Sequence, residues 1–505
     1  MPQRNVLVLL CDQLRPDFLS TYGCEAVPTP NLDHLAETGV VFDDAITQST
    51  VCAPSRATMM TGRYVSDHGV WTNDVPFRDG LEYVPERMNE EGYVTGAFGK
   101  LHHYPPDDLK GFREAVLVEE GRLGAREPYL RWLKNRRPDV MSIWNHDGYE
   151  FRFDEEEYYE HWIATRAIDF IERRRDDGPL FAWVSFQGPH TPYDPPSEVK
   201  GTVDTTALPA PLERPEDDLA PVARYRKARG TDFGSRREVM ETRTAYAETM
   251  VEIDRQIGRI IDALESAGIK EDTTILFASD HGDLLGDFGL GEKGPFPYRG
   301  QLDVPLIVAN HPEIEAGSRS RSLVGTIDIP GTCLHVAGAD DGIGVSRSLI
   351  EQANASADET RDVVFSEFCD SIKTAYDGRY LYSYYPFTEW SELYDRTSDP
   401  DELHNLAGES EYAAVERTLL MDLIDFGIGA KGFNAEAHDL VPEQQEGLRR
   451  KYPKFEREFT VAYPLNAADV ESLRAAGLSD TYNEFCRDLP VTTTYAEPYW
   501  SDEQE

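Results

Sequence analysis

Short, almost unbroken apolar runs recur at residues 6–10, 93–98, 180–186, 274–278 and 305–308, and each gives way to loop residues that include Asp, His or Lys. Runs of this length and purity predict strands buried on both faces, as in a parallel sheet covered by helices. Between residues 246 and 268 the period changes. Met250, Val251, Ile253, Ile257, Ile260, Ile261 and Leu264 share one helical face, and Gly268 supplies the stop. Strand alternating with helix predicts an α/β fold with a large, mostly parallel central sheet, and ligand-binding groups just past the C-terminal ends of its strands. Near Glu359 the pattern shifts to short strands at 363–368, 374–376 and 380–385, followed by Glu392-Leu393-Tyr394-Asp395, which predicts a smaller C-terminal domain containing an antiparallel sheet. The expected division is a main α/β domain over 1–355, the small antiparallel subdomain over 356–430, and an extension over 431–505 in which no motif is legible. Residues 104–160 and 195–240 read as long insertions that shape a pocket.

The 505 residues are ample for one large domain and a companion. No apolar stretch reaches the length of a membrane span. The first apolar run leads straight into Cys11-Asp12-Gln13 with no small-residue cleavage site, so it is read as a strand rather than a signal segment, and the protein as cytoplasmic. Cys11, Cys24, Cys52, Cys333, Cys369 and Cys486 show no Cys-x-x-Cys spacing, which argues against a disulfide framework or a zinc ribbon. The net charge is −42, and of the 50 basic residues 11 are Lys and 39 Arg. Such a surface repels itself in dilute buffer, whereas molar salt, with a Debye length of about 3 Å, screens the repulsion. The composition resembles that of salt-in halophiles, and its sign argues against nucleic acid or an anionic membrane as partner.

The run Cys52-Ala53-Pro54-Ser55-Arg56, continuing Ala57-Thr58-Met59-Met60-Thr61-Gly62, carries the chemistry. It resembles the site where type I sulfatases, formylglycine-dependent members of the alkaline phosphatase superfamily, convert a cysteine to Cα-formylglycine. Cleaving a sulfate ester needs a nucleophile at sulfur, positive charge on the non-bridging oxygens and a proton for the leaving oxygen. A thiolate that attacked would be left as a thiosulfate-like adduct with no easy exit. A hydrated aldehyde attacks through one hydroxyl and expels sulfate through the other, which gives covalent catalysis a release step. Arg56 lies one turn on if a helix begins near Ser55, so its guanidinium is expected to point back at the modified side chain, with the helix N-terminus adding positive potential.

The resemblance extends from about residue 4 to residue 406. It implies one divalent cation beside residue 52, held by Asp12 and Gln13 after the first strand and by Asp280 and His281 after a later one, with residue 52 itself as a further ligand. Many members carry a second Asp where this chain has Gln13. Ca²⁺ remains the first expectation, and a nitrogen ligand with fewer charges admits Mn²⁺. In Gly99-Lys100-Leu101-His102 the resemblance makes Lys100 a fixed charge on sulfate and His102 the base that deprotonates the second hydroxyl, with His103 as the alternative. In Pro189-His190-Thr191-Pro192-Tyr193 it makes His190 the acid for the leaving oxygen, and in Gly291-Glu292-Lys293-Gly294 it makes Lys293 the second cation on sulfate. Asn73 is expected either to touch the same oxygens or to cap a turn. The remaining histidines, among them His146 and His438, fit no spacing and are read as structural.

The resemblance implies a sulfatase acting on a small-molecule or glycan sulfate ester, matured by a formylglycine-generating enzyme. The alternative within the superfamily is a phosphonate monoester hydrolase or phosphodiesterase, which the Lys100-x-His102 spacing disfavours. The alternative outside it is a non-catalytic sulfate-ester or glycan binder in which Cys52 stays a thiol. The tail beyond residue 430 is the expected place for a subunit contact in a homo-oligomer.

Overall fold

The computed structural model describes residues 3–138, 149–228, 234–339, 341–356, 359–369, 372–386 and 388–429. His146, His438, Cys486 and the extension expected over 431–505 lie outside the described residues.

Among the described residues eight strands form the main sheet: β1 (Asn5–Asp12), β2 (Gly39–Phe42), β3 (Val94–Gly99), β4 (Glu114–Leu117), β5 (Leu180–Pro189), β6 (Thr273–Ser279), β7 (Leu306–Ala309) and β8 (Ser318–Ser320). Their spatial order is β4-β3-β5-β1-β6-β7-β2-β8. The first five in that order are mutually parallel, while β7 runs antiparallel to both β6 and β2. The apolar run that predicts β7 carries no sign of direction, because a strand buried on both faces reads the same either way. β2, with only four residues, is too short to stand out as a run.

Side chains alternate through β1. Val6, Val8 and Leu10 enter the apolar layer on one face, and Leu7, Leu9 and Cys11 the layer on the other. The long helix begins well before residue 246. It runs Arg236–Ser266 from a capping box in which Ser235 and Glu238 satisfy each other's backbone N–H groups. That Ser-x-x-Glu spacing was the available signal for its start.

The second sheet is antiparallel throughout, with Val364–Phe368, Ile372–Tyr376, Tyr380–Tyr385 and Trp390–Asp395 in sequential order. A helix, Ala413–Gly429, packs Leu419 and Leu423 against Ala375, Tyr382 and Leu393 of this sheet. A buried polar seam ties it to the main domain. The Tyr298 hydroxyl donates to Glu392 at 3.1 Å, and Arg214 donates to the Tyr394 hydroxyl at 2.7 Å. Among the described residues Cys11, Cys24, Cys52 and Cys333 are buried free thiols, and no helix is long and apolar enough to cross a membrane.

Candidate active site

Four adjacent strands, β3, β5, β1 and β6, end side by side and deliver most of the candidate residues. Asp12, the last residue of β1, stands level with Pro189 of β5, and Cys11 pairs with Ser279, so Asp280 and His281 emerge beside Asp12. Lys100 follows β3, and its N–H donates to the Ser185 carbonyl at 3.0 Å. Gly99 makes that approach possible. It sits at φ 95, and a Cβ there would stand 1.9 Å from the Ser185 oxygen.

Helix Cys52–Thr61 begins at Cys52, three residues before the start expected near Ser55. It is fixed from outside. The Ala53 N–H donates to Asn73 Oδ1 at 3.1 Å, and the Ser55 hydroxyl donates to the Asp280 carbonyl at 2.7 Å. Cys52 Sγ is thereby held 3.1 Å from His281 Nε2 and 3.7 Å from Asp12 Oδ1. Against burial and the Asp12 carboxylate, Lys293, His281 and Lys100 hold this thiol well below its usual range.

The Arg56 guanidinium lies near enough to Cys52 for the two charges to interact, and its hydrogen bonds go to the residues around that thiol. Nε donates to Asp280 at 2.8 Å, one terminal nitrogen to Asp12 at 3.2 Å, and the other to the Lys100 carbonyl at 2.7 Å and the Ser185 hydroxyl at 2.8 Å. The planar fork with several donors suits that bridging task. Asn73 commits its side-chain oxygen to the N-terminus of the helix that begins at Cys52.

One ligand atom from each of Asp12, Cys52, Asp280 and His281 lies within 4.8 Å of the others, and all four residues are buried. The donor set fits a single divalent cation. Two carboxylates and an imidazole converge, and against burial the charges of Asp280 and Cys52 hold His281 up at about 9. A cluster that keeps a proton on a buried imidazole has negative charge to offer a cation instead. Gln13, at φ 69, joins the rim of this cluster. Its N–H donates to Asp280 at 2.9 Å, Nε2 donates to Asp283 at 2.5 Å, and Oε1 accepts from Lys293 at 3.1 Å.

The cations gather opposite. Lys100 Nζ, fully buried, lies 2.6 Å from Asp12 and 2.6 Å from Glu120. Lys293 bonds His190 Nε2 as well as Gln13, and its loop is pinned by Arg226, which donates to the Lys293 and Gly291 carbonyls at 2.8 and 2.9 Å. Arg226 belongs to helix Pro221–Ala228, inside the stretch read as an insertion. His190 fixes its ring through Nδ1, 2.6 Å from the Thr191 carbonyl.

His102 is held at φ 58 by a residue the sequence reading passed over. Glu119 accepts from the N–H groups of Leu101 at 2.7 Å and His102 at 3.0 Å, and is paired with Arg122 at 2.8 Å. The imidazole lies beside Cys52. Burial, then Arg122, pushes it well below the usual range, and Nδ1 is buried without a hydrogen-bond partner among the described residues. A neutral imidazole with a free nitrogen is equipped to accept a proton. His103 turns away, 3.2 Å from the Asp108 carbonyl and edge-on to Phe77. Glu119 and Glu120 close a short apolar run, Ala115-Val116-Leu117-Val118, which is the same signal that marked the other strands.

A family model described as Sulfatase matches residues 4–339, and one described as N-sulphoglucosamine sulphohydrolase, C-terminal, matches residues 286–427. The chain is 29% identical to an arylsulfatase of Clostridium perfringens, over 81% of this chain and 91% of that one. It is 27% identical to a choline-sulfatase of Rhizobium meliloti, over 88% and 90%. Among solved structures it resembles a phosphonate monoester hydrolase of Agrobacterium radiobacter, with a TM-score of 0.73 and 26% identity over 84% of this chain and 95% of that one.

Proposed function

The chain belongs to the sulfatase family, within the alkaline phosphatase superfamily, and from that premise we propose that it hydrolyses a sulfate monoester using a formylglycine made from Cys52 and one divalent cation at Asp12, Asp280, His281 and residue 52, with Gln13 at the rim. The observation that carries this reading is the buried convergence of those four residues at the first residue of a helix. The hydrate of formylglycine supplies one hydroxyl for attack at sulfur and a second whose deprotonation releases sulfate, and the cation supplies positive charge beside them. Oxygen ligands favour Ca²⁺, and the imidazole keeps Mn²⁺ in play.

The protein's own groups divide the remaining work. Lys100 and Lys293 bind the non-bridging sulfate oxygens, supplying fixed charge in a site that burial has largely desolvated. His190, oriented through Thr191, gives its proton to the leaving oxygen. His102, neutral and beside residue 52, takes the proton of the second hydroxyl, the step that releases sulfate. Arg56 touches no substrate in this scheme and acts by aligning the two ligand carboxylates.

The arylsulfatase and choline-sulfatase relatives support a small-molecule ester, and the match to a sulphohydrolase C-terminal region supports a sulfated glycan. A phosphonate monoester or phosphate diester is the second reading, favoured by the Gln13 and His281 pair and by the solved hydrolase of similar fold. Maturation then requires a formylglycine-generating enzyme. The buried free thiols of Cys11, Cys24, Cys52 and Cys333 support a reducing compartment such as the cytoplasm, and the charge of −42 supports a salt-rich one. Parallel kinetics in molar salt on an aryl sulfate, a phosphate diester and a phosphonate monoester decide between the two readings, with the sulfate expected fastest. The mass of the peptide spanning residue 52, from protein made in its own host, is expected about 18 Da below that of the cysteine form.

A further inference from the structure

Glu120 is an anion placed among the cations that bind sulfate. Its Oε1 accepts from Lys100 Nζ at 2.6 Å and stands 3.8 Å from His190 Nδ1, and its Oε2 accepts from Arg122 at 2.9 Å. The backbone there is left-handed, with φ 53 at Glu120 and φ 86 at Gly121, a conformation a non-glycine residue holds only when its surroundings impose it. The side chain is 19% exposed, so it faces the site rather than the core. Against burial, Lys100, Arg122 and His190 hold its carboxyl far below the usual range, so it is charged at every working pH.

We propose that Glu120 sets the charge the site accepts: its fixed negative charge beside Lys100 and His190 admits esters carrying one negative charge and rejects dianionic ones, phosphate monoesters in particular. The inference rests on the sulfatase reading and adds the class of competitor that the site excludes. A sulfate monoester and the phosphate monoester of the same alcohol share shape and donor requirements, so steric fit separates them poorly and charge is the available discriminator. Any substrate oxygen that bonds the Lys100 ammonium lies within about 6 Å of Glu120 Oε1, two hydrogen-bond lengths end to end. Repulsion at that range scales with the substrate's charge, so a dianion pays it twice over. Arg122 does not cancel Glu120, because that one cation is shared between Glu119 and Glu120.

The test uses the full-length, metal-loaded protein with residue 52 modified. The specificity constant kcat/KM is measured for an aryl sulfate and for the phosphate monoester of the same phenol near pH 8, where the phosphate carries close to two charges. In Glu120→Gln the preference for sulfate over phosphate is expected to fall about tenfold, equivalent to about 1.4 kcal/mol. Glu120→Asp keeps the charge and is expected to hold the preference within about twofold. Equal losses on both substrates in Glu120→Gln would mean that Glu120 only positions Lys100, and would overturn the inference. The unaltered protein gives an independent reading. Inhibition by the phosphate monoester is expected to weaken between about pH 5.5 and pH 8 relative to the KM of the sulfate, and strengthening over that range overturns the inference as well. Absence of turnover on any sulfate ester would overturn the sulfatase reading and this inference with it, whereas turnover with an unmoved preference overturns this inference alone.

Discussion

At the nucleophile end of the site, Arg56 is 1% exposed and directs its donors to Asp280, Asp12, Ser185 and the Lys100 carbonyl, while Ser55 and Asn73 fix the helix that presents Cys52. At the end proposed to bind sulfate, Lys100 bonds Glu120 and Asp12, Lys293 bonds Gln13, and Lys293 and His190 bond each other. In the proposed scheme the first set of contacts need not change when substrate arrives. The second consists of bonds that substrate oxygens would share or replace. The nucleophile end is therefore preorganised by geometry, and disturbing it moves the ligands themselves. The sulfate end is tuned by charge, and disturbing it alters what is bound and how tightly.

That contrast makes ordered predictions, and the largest effect belongs to residue 52. In the proposed scheme Cys52→Ala removes the precursor of the nucleophile and a metal ligand together, and kcat on an aryl sulfate is expected to fall by roughly a thousandfold or more. Retention of activity within tenfold would place the nucleophile elsewhere. Arg56→Lys comes next. A single ammonium cannot span two carboxylates, a hydroxyl and a carbonyl, so metal affinity measured by equilibrium dialysis is expected to drop about 10- to 100-fold. Leaving buried carboxylates underpaired is also expected to lower unfolding stability by about 3 kcal/mol in denaturant titrations. Unchanged metal affinity with a raised KM would move Arg56 to the sulfate end and erase the distinction.

The two ends also differ in how much of them could be read from the chain. Asp12, Lys100, His190 and Asp280 come within four residues of the ends of apolar runs, and strands of one parallel sheet end on the same edge, so their convergence is legible in the sequence. What Arg56 reaches was not, because Ser185 and Asp280 lie 129 and 224 residues away from it in the chain. Glu119 and Glu120 were hidden for a different reason. The strand before them has four residues and sits in a charged, aromatic stretch, so the pattern there reads as an insertion. The small antiparallel sheet was visible in the change of period near Glu359, but the reversed direction of Leu306–Ala309 has no counterpart in composition.

Glu119→Gln tests the junction between the ends. The variant keeps an acceptor for the Leu101 and His102 N–H groups but loses the ion pair with Arg122. If His102 acts on the nucleophile, loosening its left-handed turn is expected to lower kcat about tenfold while KM stays within about twofold, the signature of an interaction realised only in the transition state. A stability loss of about 1–3 kcal/mol is expected alongside it. A change confined to KM would assign the loop to substrate binding instead.

Asn73 gives the smallest effect and the finest division. Its oxygen accepts from the Ala53 N–H, while the helix's own N-cap position, Val51, offers no side-chain acceptor. Asn73→Ala therefore leaves an orphan donor one residue from Cys52, and the loss is expected to resemble that of an N-cap, about 1 kcal/mol of stability. If the cap holds the helix rather than the ester, kcat/KM is expected to change less than about fivefold, and Asn73→Asp, which keeps an acceptor, is expected to recover the stability. The opposite split, an aryl sulfate KM raised tenfold with stability untouched, would put the Asn73 amide on sulfate. One residue would then serve both ends, and geometry and charge could no longer be adjusted separately in this site.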